Sequence, residues 1–134
     1  MIINDFNLTE DAERGADLNL LNPRTSEKFE GTVIKLAGAD SRAYRAKKQQ
    51  QESARLAKMV KRQDYSLQAT PEEESELLAE ITLGWTGVFE KINGEVVEIE
   101  FSKEAARKLY LDQFWIRTQV SGFVTERSNF FTMP

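Results

Sequence analysis

The side chains with which this 134-residue chain could do chemistry are hydroxyls, lysines and carboxylates, because it contains no His and no Cys. That double absence excludes Cys nucleophiles, His general bases, Ser-His-Asp triads and zinc sites with nitrogen or sulfur ligands. No disulfide can form, so nothing points to an oxidising compartment. Glu72, Glu73, Glu74 and Glu76 could be imagined as a metal cluster. Consecutive helical positions diverge by about 100° and do not converge on one ion, so these residues read as charge at a helix N-terminus. Gly84-Trp85-Thr86-Gly87 lacks the GxxxxGK[ST] pattern of a phosphate loop and reads as helix termination followed by a turn. Spacing singles out no Ser–Lys or Asp/Glu pair for nucleophilic or acid–base work. The expectation is a non-enzymatic protein with no catalytic residues, no metal and no cofactor.

The most unusual charge feature is basic. Between Arg42 and Arg62 lie eight basic residues and one acidic residue, Glu52, a net of +7 in a chain of −4 overall, which leaves −11 for the remainder. A basic helix can track phosphates, yet Tyr44 is the only aromatic residue within it. Three readings stand side by side: a solvated face that partly neutralises the acidic remainder, a docking surface for an acidic partner segment, and, as the least favoured, a nucleic-acid contact.

The elements that must position these residues follow from pattern. With 40% hydrophobic and 30% charged residues, one lean core and a single domain over 1–134 are expected. Residues 1–16 are polar with isolated Phe6 and Leu8, and read as an arm that is flexible or partly docked. Residues 17–37 read as a β-hairpin: Leu18 and Leu20 alternate with polar neighbours, Asn22-Pro23-Arg24-Thr25-Ser26 is a turn cluster, and Thr32 to Leu36 is a β-branched run of period two. A helix is expected over 40–64, capped by Asp40 or Ser41. On its wheel Ala43, Ala46, Ala54, Ala57 and Val60 share one shallow side that would admit a close helical neighbour. A second helix over 71–83 starts with Thr70 as cap, Pro71 in the first turn and Glu73 completing a capping box, and Gly84 suits the position just past its end. Asn93-Gly94 marks a second hairpin over 86–101. Helices over 103–110, capped by Ser102, and 113–127, capped by Asp112, complete an α+β fold with a small antiparallel β component and three to four helices.

Aromatic residues concentrate towards the C-terminus. Trp115 and Phe123 keep helical spacing with Ile116, Val120 and Val124, and so read as core. In the tail, 128–134, the adjacent Phe130 and Phe131 cannot both point the same way if the chain is extended. Either the tail docks on its own domain or an aromatic side chain is left for a partner. The N-terminus has neither a basic n-region nor an apolar h-region, and no run approaches the roughly 18 apolar residues of a membrane span. The expected location is a cytoplasm, with no membrane contact.

The order of motifs is more specific than any one of them. Leu20 and Asn22-Pro23-Arg24-Thr25 are followed by Gly38-Ala39-Asp40-Ser41, a basic helix and an acidic helix. Then come Gly84-Trp85-Thr86-Gly87-Val88, Phe101-Ser102-Lys103-Glu104-Ala105-Ala106 with Leu109, Trp115-Ile116-Arg117-Thr118-Gln119-Val120 and Arg127-Ser128-Asn129-Phe130-Phe131. Over residues 16–131 this order resembles the tail assembly chaperones of long-tailed, siphovirus-like bacteriophages. The 86–101 hairpin is longer and more β-branched than the short acidic link associated with that family. The resemblance implies a protein that binds the long helical tape measure protein, keeps it soluble and helps recruit tail tube subunits. It implies action in the host cytoplasm, absence from the finished virion, and, in many members, a frameshift-extended second form. It carries over no catalytic or binding residue.

A holding chaperone needs an amphipathic surface that can cover a client's apolar helix, and a homo-oligomer is compatible with that role. Two candidate surfaces follow from the residues: the Ala43, Ala46, Ala54, Ala57 and Val60 side of the basic helix, and Phe130 with Phe131 in the tail. The rival expectations are a structural tail protein retained in the particle and a nucleic-acid-binding regulator.

Overall fold

The computed structural model describes residues 1–61 and 68–131. Among them, five helices and two small antiparallel sheets make an α+β fold. The three-stranded sheet comprises β1 (Ala16–Leu21), β2 (Lys28–Leu36) and β3 (Thr82–Thr86), in the order β1-β2-β3. The expected first hairpin is present. The Asn22 side chain accepts from the amides of Arg24 and Thr25, and Ser26 takes the left-handed conformation that closes the turn. Ile34 stands opposite Leu18 on β1 and opposite Trp85 on β3.

Strand β3 was not expected. The sequence pattern predicts the end of the acidic helix and a turn here, but α3 (Pro71–Glu80) stops at Glu80 with Ile81 as its cap, and Gly84 lies inside the strand. The reason is tertiary: β2 offers an open edge, and Leu36 pairs with Thr82, directly after the helix. The Thr70–Glu73 capping box and Pro71 in the first turn form as the sequence indicates.

The core lies between one face of the sheet and the helices α3, α4 (Lys103–Asp112) and α5 (Phe114–Thr125). Its members include Ile34, Leu36, Leu78, Ile81, Val120 and Val124, each almost completely buried. Tyr110 is buried with them. The Thr82 hydroxyl donates to the Leu78 carbonyl at 2.7 Å and sits 2.8 Å from the Tyr110 hydroxyl. Threonine has one hydroxyl proton, so tyrosine is the donor of the second bond. Burial pushes the Tyr110 phenol up to about 12, which keeps that proton in place. Arg117, also buried, donates to the carbonyls of Tyr110 and Leu111 at the C-terminal end of α4, where the helix dipole favours a cation. Asp112 does not cap α5; Gln113 holds that position without a side-chain bond.

The N-terminal segment carries a helix rather than a free arm. A short 3-10 helix, Ile3–Asp5, precedes α1 (Leu8–Arg14), which is capped by Asn7 and buries Ala12. This helix docks through the linker after β2. The Ala37 amide donates to Ile81, Gly38 to Ala12 and Ala39 to Val124, so three consecutive amides tie the α3–β3 junction, α1 and α5 together. A methyl at Gly38 would lie 3.0 Å from the Phe130 ring and 3.1 Å from the Ala12 side chain. Gly38→Ala should therefore lower unfolding stability by about 1–3 kcal/mol through overpacking. Urea denaturation is the measurement, and Phe130→Leu should recover part of the loss in the double variant. Additive effects would mean that the ring does not transmit the strain.

Candidate functional site

Helix α2 (Arg42–Val60) is where the two candidate surfaces of the sequence diverge in fate. Ser41 caps it as expected, its hydroxyl accepting from the Tyr44 amide. The side by which α2 attaches to the domain is polar. Tyr44, Lys47, Gln51 and Arg55 recur at spacings of three and four, and they face α3 rather than water. The Gln51 amide donates to the Glu73 carbonyl at 2.8 Å, Arg55 pairs with Glu73 at 2.9 Å and Lys47 approaches Glu76 at 3.9 Å.

Within the described chain, then, the helical neighbour of α2 meets its polar side, and the alanine side stays without one. A methyl side buries too little apolar area to compete with ion pairs and hydrogen bonds to an acidic helix already seated on the core. The carboxylates of α3 diverge as helical geometry requires. Glu73 goes to Arg55, Glu74 lies 3.9 Å from Arg117, and Glu76 faces Lys47. Among the described residues no group of His, Cys, Asp or Glu could hold a metal ion.

The consequence is an uncovered apolar side. Ala43, Ala46, Ala54 and Ala57 are exposed. Val60 is 82% exposed, Leu56 60% and Met59 45%. With 100° per residue, Ala43, Ala46, Gln50, Ser53, Ala54, Ala57 and Val60 fall on one arc that carries no charge between Ala43 and Val60. Gln49 and Leu56 widen it. Nineteen helical residues give this side a length of about 28 Å. Cations border it: Arg45 on one flank, Lys47 and Lys58 on the other. Lys48 rests over the Tyr44 ring at 5.8 Å, and burial with the nearby Glu74 carboxylate raises the Tyr44 phenol above its usual value.

The second candidate surface is divided. Phe130 is buried, packed edge-on against Phe123 at 5.6 Å in a short 3-10 helix, Arg127–Phe130, so it belongs to the core and is not available to a partner. A bidentate pair between Arg127 and Asp40 holds that helix against the linker before α2. Phe131 is half exposed. Sequence alternation required the two rings to part, and the fold decided which one went in.

Sequence reasoning missed a third surface. The expected second hairpin is β4 (Phe89–Ile92) and β5 (Glu95–Glu98), which among the described residues pair only with each other, around Asn93-Gly94. All eight strand residues are exposed, among them Phe89, Ile92, Val96 and Val97. The signal was present: apolar residues occupy both faces of a strand pair that alternation would ordinarily bury on one. No protein-family model matches this chain, and comparisons with curated proteins and with solved structures give no significant match either.

The attachment of α2 has a pH signature. Burial alone would raise the Glu73 carboxyl, but the Thr70 backbone amide and the Arg55 guanidinium outweigh it and hold the group below the usual glutamate value. A depressed folded-state value adds stability above the unfolded value, and that stability is lost as pH falls through the folded one. Glu73→Gln keeps the capping geometry and removes the charge. Wild type should therefore exceed the variant by up to about 1 kcal/mol at neutral pH, the pair being partly exposed. The gap should close below about pH 4 in thermal unfolding followed by circular dichroism. A gap of constant size across that range would show that charge is not what holds α2.

Proposed function

We propose that this chain is a non-enzymatic tail assembly chaperone of a long-tailed bacteriophage, which holds the tape measure protein in a soluble state and helps recruit tail tube subunits around it. One observation carries the reading on the structural side. A 19-residue helix is anchored through its polar side while Ala43, Ala46, Ala54, Ala57 and Val60 stay in water. A helix whose apolar residues are left uncovered is suited to receive the apolar stripe of another helix. Small side chains let the two backbones approach closely without selecting one knob pattern, which suits a client that presents many similar helical turns. The order of sequence motifs supplies the family. Site of action in the host cytoplasm, absence from the virion and a frameshift-extended partner form belong to the same proposal. Among the described residues no helix is long and apolar enough to cross a membrane.

The test is co-expression with the tape measure protein of the same genome. Wild type should raise the soluble yield of the client and co-purify with it. Ala46→Glu/Ala57→Glu places two charges in the middle of the uncovered side without touching the α2–α3 contacts. It should abolish co-purification while leaving the circular dichroism spectrum unchanged. Phe131→Ala tests the exposed ring of the tail separately. Mass spectrometry of purified virions separates the rival reading: fixed copies in the particle would make the protein a structural component and overturn the chaperone assignment.

A further inference from the structure

A groove of about 670 Å³ opens between β2, the β4–β5 hairpin and the α4–α5 corner, with no α2 residue in its lining. Phe29, Leu109, Trp115, Val88 and Ile99 line it, and the Phe29 and Trp115 rings stand 6.2 Å apart. The volume is in the range of built binding sites.

The groove exists because two strands part. Pairing of β2 with β3 begins only at Val33, opposite Thr86. Beyond it one bond remains, from the Thr32 hydroxyl to the Gly87 carbonyl at 2.8 Å. Gly87 has φ +72°, and a Cβ there would lie 2.1 Å from the Gly31 carbonyl oxygen, so only glycine makes this bend. After it the chain leaves β2 and enters β4, whose sole strand partner among the described residues is β5.

The direction of β4's unpaired edge follows from hydrogen bonding. The Gly87 carbonyl points to β2, and the next one, of Val88, accepts from Ile99 beside β5. β2 and β5 therefore lie on opposite edges of this chain segment, and the edge of β4 turned away from β5 is the one that borders the groove. Antiparallel pairs alternate between exchanging and non-exchanging residues. The Ile99 amide donates to Val88, and Ile92 faces Glu95 across a two-residue turn, so Glu90–Val97 and Ile92–Glu95 are the exchanging positions, while Phe89 and Lys91 send their N–H and C=O groups to the unpaired edge. By the same alternation Ile92 and Val97 share a face with Val88 and Ile99, and they continue the apolar lining into solvent.

Charge narrows the occupant. Residues 89–100 carry four glutamates against the single Lys91, and β2 adds Glu30 beside the fork. On the helical rim Asp112 and Lys108 offset each other. We propose that this fork is a second protein-binding site, which takes an extended, basic segment with alternating apolar side chains as an added strand on the unpaired edge of β4. Main-chain bonds to Phe89 and Lys91 would hold the segment, its apolar side chains would enter the Phe29–Trp115 groove, and its cations would face the hairpin glutamates. A helix could fill the groove but could not pair with the edge. The site uses no residue of α2 and stands independently of the chaperone reading.

Fluorescence anisotropy with labelled peptides of about ten residues tests it. The probes are an alternating Lys–Val peptide, its Glu–Val counterpart, and a Lys–Leu peptide of helical period. The Lys–Val peptide should bind, and Lys91→Pro should weaken it about tenfold while Lys91→Ala does not, because proline removes only the edge donor. Glu90→Lys/Glu98→Lys, at exposed positions, should weaken the Lys–Val peptide and favour the Glu–Val one. No saturable binding of the Lys–Val peptide up to about 1 mM would overturn the proposal. So would equal binding of the helical peptide, indifference to both sets of variants, or self-association that Lys91→Pro abolishes, which would make a second copy the occupant.

Discussion

Everything in this molecule hangs on the crossing of the chain at Ala37-Gly38-Ala39. These residues leave β2 and give one amide each to Ile81, Ala12 and Val124. A backbone segment that serves three elements must run through the interior, and an interior backbone must have its polar groups satisfied. Each bond also fixes a direction: towards the α3–β3 junction, towards α1 and towards the end of α5. A side chain at position 38 would be crowded, because the Phe130 ring and the Ala12 methyl close over Gly38. The adjoining Asp40–Arg127 pair and the buried Ser41 cap then set where α2 can start. The outward course of the basic helix is thus decided at a crossing several residues upstream of it.

From that start, α2 has a choice of sides, and polar chemistry makes it. The first turn of α3 is acidic because a helix N-terminus favours carboxylates. One of those carboxylates, Glu73, pairs with Arg55 and its backbone carbonyl accepts from Gln51, while Glu76 a turn further on meets Lys47. One cluster of glutamates therefore helps to start one helix and to seat another. The alanine side is left over by this arrangement, and a left-over apolar side on an anchored helix is a surface with something to bind. The β4–β5 hairpin is left over in a different way: the bend at Gly87 takes it away from the three-stranded sheet. The two surfaces have opposite charge, cationic on α2 and anionic on the hairpin, so they suit different partners.

Much of the fold was legible. Asn22 to Ser26 and Asn93-Gly94 announced their turns because local backbone chemistry governs a turn. Thr70, Pro71 and Glu73 announced the start of α3 for the same reason. The errors share a cause. Thr82 to Thr86 looks like a helix end and turn in the sequence because it is short and contains glycine, and its strand character comes from the β2 edge beside it. Phe130 and Phe131 both stand as candidates in the sequence, because alternation says that adjacent rings part but not which one goes in; Gly38 and Phe123 receive Phe130. Residues 62–64, expected as the last turn of α2, lie outside the described residues.

By itself the sequence determined the α+β class, the starts of α2, α3 and α4, both tight turns and the exclusion of His and Cys chemistry, since each depends on residue type or on contacts a few positions apart. Only the tertiary structure decided which side of α2 faces water, which phenylalanine of the tail is buried, and that a strand edge stands open beside an aromatic groove. Those outcomes rest on pairs such as Arg55 with Glu73 and Thr32 with Gly87, which are 18 and 55 residues apart in the chain. No local pattern encodes such meetings, because they arise from competition for a limited interior that every element enters at once.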